Sequence, residues 1–240
     1  MKNLSPWLIA IVLCGLLAGC QSSPQRLHAS MTDEAVEPLA DWPDPPSRQG
    51  QHYLVDRQAS EVRMVVLAAG PLARFGHPHV VGGPVVDGRI IIGDGRHDAG
   101  LELTIAVGDL ELDHPEWRAD EGFDPDMPDG AIEATRENLL STQVLDQARF
   151  PLIRVRSLSM TGPAWQADLR LAIQLKDQIR ALTVPVAIER HENQLIATSR
   201  FEISQRAFGI TPFSAAGGAL QVDDRILIRL RIVARLESEA

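Results

Sequence analysis

Apolar and polar residues alternate with a period of two along much of the chain, most cleanly between Trp165 and Glu189. Ala167, Leu169, Leu171, Ile173 and Leu175 fall on one side, with Asp168, Arg170, Ala172 and Gln174 between them. That spacing gives a β-strand one dry face and one wet face. After the polar break Lys176-Asp177-Gln178 the alternation resumes on Leu182, Val184, Val186 and Ile188, so the two runs predict a β-hairpin. Pro185 cannot donate to a ladder, which puts the second strand at an opening or beside a bulge. Similar runs predict strands over Tyr53–Asp56, Ser60–Leu67, Leu101–Val107, Ile153–Ser157, Leu195–Ile203 and Ile226–Leu236. In the last of these, Arg225, Arg229, Arg231 and Arg235 take the wet side. Asp87-Gly88, between short apolar runs, predicts a tight turn.

The segments between strands read differently. Asp113–Asp129 carries seven acids against Arg118 and predicts a solvated surface excursion. It lacks the residue order of an EF-hand loop. Ile132–Gln147 is the one good helix candidate, and Pro151 ends it. Ser204–Gly218 is a loop whose Phe208 and Phe213 suit either a lid over a barrel mouth or an aromatic plug within it. About eight strands, one helix and no internal repeat fit a sandwich or an up-and-down barrel. Eight antiparallel strands close around an interior wide enough for one ligand.

Residues 1–19 read as a signal peptide, with Lys2 ahead of an apolar run from Trp7 to Leu17 that is short for a membrane span. Leu17-Ala18-Gly19-Cys20 matches the bacterial lipobox, which implies that Cys20 is acylated and becomes the first mature residue. Cys14 leaves with the signal, so the mature chain keeps no thiol for a disulfide, a thiolate metal site or a nucleophile. Gln21 stands where an inner-membrane retention signal has aspartate, and this implies the outer membrane, facing the periplasm. Residues 20–50, with Pro24, Pro38, Pro43, Pro45 and Pro46, read as an extended tether, a short helix near Thr32–Leu39 being the weaker alternative. The formal net charge of -9 argues against a nucleic-acid partner, which would demand a basic face.

His77-Pro78-His79 is the most chemical-looking triplet, because i and i+2 share a face of an extended chain. A third metal ligand would have to come from His52, His97, Asp98 or His114, but no spacing marks one, and the favoured role is structural or mouth-lining. No G-x-S-x-G, H-E-x-x-H or G-x-G-x-x-G occurs, so catalysis is not expected.

Several stretches in order resemble the YceI-like family. They are Tyr53-Leu54-Val55-Asp56 with Ser60-Glu61-Val62, Gly76-His77-Pro78-His79-Val80-Val81-Gly82-Gly83, and Gly88-Arg89-Ile90. Leu139–Asp146, Phe150-Pro151-Leu152-Ile153, Ser157, Asp168-Leu169-Arg170-Leu171, Ile203–Ile210 and the final alternating strand continue the series. The acidic segment and Pro185 depart from the family's usual pattern. The resemblance implies an all-β, mainly antiparallel fold over residues 51–240: an eight-stranded lipocalin-like up-and-down barrel with one short helix. It also implies a non-catalytic protein without a metal or other cofactor, holding an isoprenoid lipid such as a quinone or polyprenyl compound, and a homodimer is in keeping with it. Cavity candidates are Phe75, His77, His79, Leu169, Leu171, Ile173, Leu175, Phe208, Phe213, Ile228 and Leu230. The alternatives are a side-chain-filled barrel that binds a partner on its surface, and a histidine-based metal protein.

Overall fold

The computed structural model describes residues 36–46, 49–93, 99–163 and 165–237. The lipobox and Cys20 lie outside them, as do His97 and Asp98. Ten strands build a closed barrel: β1 (Gln51–Val55), β2 (Glu61–Ala69), β3 (His79–Gly83), β4 (Val86–Ile92), β5 (Ala99–Ala106), β6 (Leu152–Thr161), β7 (Gln166–Leu175), β8 (Gln178–His191), β9 (Gln194–Ser204) and β10 (Leu220–Leu236). Strands β1 and β2 run end to end along one edge of β10, and β3 and β4 likewise follow one another beside them. The barrel therefore has eight staves, all antiparallel and in up-and-down order, and β10 closes it by pairing β9 on its other edge.

The hairpin read from the sequence is β7 and β8. Lys176 adopts φ 56° in the two-residue turn, and the register sets Leu171 opposite Leu182 and Leu169 opposite Val184. Because side chains alternate strictly, this register fixes which residues of both strands face inward. The β8–β9 ladder runs only from Ala187↔Thr198 to His191↔Gln194, so β8 has already parted from β9 at Pro185. The Ser199 hydroxyl donates to the Pro185 carbonyl at 2.5 Å across that parting. On the free edge of β8, Glu37 and Pro38 pair with Ala181 and Arg180. From there the chain runs over the outer wall, where Trp42 lies against the guanidinium groups of Arg154 and Arg156 at 4.4 and 5.1 Å. The described part of the expected tether is thus a strap along the barrel.

Three expectations need correction. Asp87-Gly88 is not a turn: both residues lie within β4, where Gly88 at φ 143° faces Leu103 of β5. A Cβ on Gly88 would stand 2.1 Å from the Glu102 carbonyl oxygen, so the glycine serves a close strand approach. The helix is Asp129–Leu140 (α2), shorter at its C-terminal end than expected, and Ser141 to Asp146 fold back through turns. The acidic segment is not simply solvated. It opens with a buried Asp113 and a short helix, Pro115–Asp120 (α1), which buries Trp117 and Arg118. Trp117 lies 5.6 Å from the Arg63 guanidinium and packs beside Gly83. Glu121 is also largely buried and pairs with Arg229 at 3.0 Å, so that arginine is not simply wet.

The up-and-down order puts residues 70–78, 107–151, 176–177 and 205–219 at one end of the barrel, called here the helix end. Arg136 clamps α2 there by donating to the carbonyls of Leu110 and Gly108 at 2.6 and 2.8 Å. Tyr53, Leu195 and Ala234 form a separate buried cluster at the opposite end.

Candidate functional site

Inside the barrel is a cavity of about 400 Å³, within the range of small-molecule sites. All eight staves contribute to its wall. Leu169, Leu171, Ile173 and Leu175 line it from β7, and Ile226, Ile228, Leu230 and Ile232 from β10. The sequence periodicity that made these strands amphipathic is the same fact as the dry lining. Two bulges keep it so: the register shifts between Ser157 and Ser159 on β6, and between Val222 and Ile226 on β10. After the first, the inward positions change from Ile153 and Val155, which line the cavity, to Met160, which packs against the apolar core. Ser157, at that bulge, accepts the Leu101 N–H at 2.9 Å.

The structure brings together nine of the eleven expected cavity residues. Phe208 is buried and lines the cavity at the helix end, while Phe213 lines it from the rim and remains half exposed. Phe75 and His77 are not in the wall. The short 3-10 turn Ala73–Phe75 carries them outside, where Phe75 is 62% exposed and lies 4.6 Å from the Arg74 guanidinium. Strand alternation does not extend through that turn, so the shared-face argument for His77 and His79 fails there. Sequence reasoning missed the contribution of α2 and the turn after it: Leu139, Val144 and Leu145 close the helix end. Thr135 and Leu139, four apart on one helix face, were the available signal.

His79 is one of the polar side chains of the wall. Its Nδ1 bonds to Asp113 Oδ2 at 2.7 Å. Asp113 Oδ1 accepts from the Val80 N–H at 3.0 Å and from Arg118 at 2.8 Å. Arg118, fully buried, also donates to the carbonyls of Pro78 and Asp124. Burial alone would raise the Asp113 carboxyl, but the bonds from His79, Val80 and Arg118 outweigh it and hold it below the usual carboxylate range. A depressed carboxylate contributes stability above its unfolded value of 3.8, and the contribution is lost as pH falls through the still lower folded value. Asp113→Asn is therefore expected to be clearly less stable than wild type at pH 7, with the gap narrowing as pH falls below 3.8. Urea unfolding of both proteins across that range checks it; a gap independent of pH would contradict it.

No cluster of three or more His, Cys, Asp or Glu side chains suited to a metal occurs among the described residues. His79 is engaged with Asp113 and not with His77.

The profile of the YceI-like domain family matches residues 53–234. Among solved structures, the barrel is similar to BcnA of Burkholderia cenocepacia, at TM-score 0.55 and 14% identity, covering 75% of this chain and 98% of that one. It is also similar to a polyisoprenoid binding domain from Saccharophagus degradans implicated in plant cell wall breakdown, at TM-score 0.53 and 9% identity, covering 77% and 98%. No curated protein matches the chain in sequence.

Proposed function

The chain belongs to the YceI-like domain family, and from its dry, closed barrel we propose that it is a non-catalytic carrier or store of a polyisoprenoid lipid, such as a quinone or polyprenyl compound. The observation that carries this is the lining. It is aliphatic and aromatic over nearly its whole extent, and among the described residues no Lys, Arg, Asp or Glu belongs to it. A prenyl chain is continuous apolar surface, whose burial contributes about 25 cal/mol per Å². A tube of Leu, Ile, Val and Phe satisfies it, whereas a polar metabolite would leave its groups unpaired there. The Saccharophagus relative, named as polyisoprenoid binding, supports the same ligand class.

In this reading acylated Cys20 holds the barrel at the outer membrane, facing the periplasm, and the strap of residues 36–46 joins anchor to wall. The lipid would then be withdrawn from, or returned to, the membrane beside which the protein sits. Organic extraction of gently purified protein should yield a prenyl lipid at about one per chain.

A further inference from the structure

We propose that His79, fixed by Asp113 and Arg118, is the polar terminus of the cavity and accepts the hydroxyl of an isoprenoid alcohol or hydroquinone. This deepens the carrier reading and rests on it. Among the described residues the four polar side chains in the lining are His79, Thr135, Asn138 and Gln205, and all four stand at the helix end. Thr135 spends its hydroxyl on the Ala131 carbonyl, and Gln205 spends one of its two amide N–H groups on the Asp223 carbonyl. Asn138 is exposed on the rim. Of the four, His79 is the one held by a buried carboxylate, and among the described residues its Nε2 has no hydrogen-bond partner.

The chemistry of the head follows from the proton on Nδ1. A carboxylate only accepts, so the bond to Asp113 Oδ2 places the imidazole proton on Nδ1. Nε2, without a partner, is the ring atom left to meet a ligand, and the polar group an isoprenoid head offers it is a hydroxyl. Asp113 cannot rotate away, because its other oxygen is held by Val80 and Arg118. A phosphate ester fits poorly, since among the described residues no lysine or arginine lines the cavity to compensate a buried anion. The ligand therefore lies with its head at the helix end and its tail toward the Tyr53 cluster.

The test uses delipidated full-length protein and three probes: geranylgeraniol, geranylgeranyl phosphate, and the hydrocarbon in which hydrogen replaces the hydroxyl. Wild type should bind the alcohol about fivefold more tightly than the hydrocarbon, the worth of one hydrogen bond. His79→Leu should bring the alcohol down to the affinity of the hydrocarbon, and His79→Gln, which keeps a polar group there, should restore part of the preference. Adding the alcohol should also shift the ¹⁵N resonance of His79 Nε2 in the wild type, a readout independent of any variant's folding. Equal weakening of alcohol and hydrocarbon by His79→Leu, an unmoved Nε2 resonance, or tighter binding of the phosphate would each overturn the proposal. Binding of none of the three would remove the carrier reading itself, and this site with it.

Discussion

Arg118→Ala should lower the unfolding free energy by about 3–5 kcal/mol, the usual result of stripping one partner from a buried ion pair. The arginine is only 1% exposed and ties together three stretches, through Pro78, Asp113 and Asp124. Its removal leaves the Asp113 carboxylate wholly buried without its guanidinium, and two carbonyls without donors. A domain stable by about 5–15 kcal/mol loses a large part of its margin. Arg118→Lys should recover only some of it, because a single ammonium on a flexible stem does not reproduce the planar fork. Arg170→Ala is the control: its pairing with Glu37 is exposed on both sides, at 41% and 62%, and is worth about 0–1 kcal/mol. Urea unfolding measures all three, and a loss below about 1 kcal/mol for Arg118→Ala would refute the clamp.

Leu171→Arg should weaken binding of a prenyl lipid by about 100-fold or more, near the ~3 kcal/mol end of mutational costs for burying unpaired polar groups. Leu171 sits midway along β7, opposite Leu182, with its side chain in the lining. Among the described residues no acid lines the cavity to pair an introduced guanidinium, so the charge either fills the tube or draws water into it. Leu171→Trp tests the same space without charge. It should also displace lipid, at an overpacking cost of about 1–3 kcal/mol. Fluorescence titration with a prenyl probe reads both variants; a folded Leu171→Arg that still binds at wild-type affinity would show that this face does not meet ligand.

Much of the barrel was legible because its determinant is local. Alternation along Leu169–Leu175 and Ile226–Leu236 is enforced by a buried face, and a slip of one residue would invert it. What was not legible depends on distant partners. Gly88 looks like a turn residue until β5 is seen to pass close to it. Asp113 looks like one acid among seven until Arg118, five residues on, and His79, far back in the chain, are brought to it. Nothing in the spacing of His77, Pro78 and His79 says that a 3-10 turn ends just before them and sends His77 outward. Helix α2 as a wall of the cavity was hidden because its inward face mixes Thr135 and Asn138 with Leu139, which weakens the apolar stripe.

The most direct measurement is native mass spectrometry of the intact protein purified gently from its own host cells, beside Leu171→Arg prepared in the same way. Wild type should carry a mass increment equal to one prenyl lipid, released by organic solvent and absent from the variant. A wild-type chain that flies bare after gentle purification, and takes up no prenyl lipid when offered it, would contradict the account.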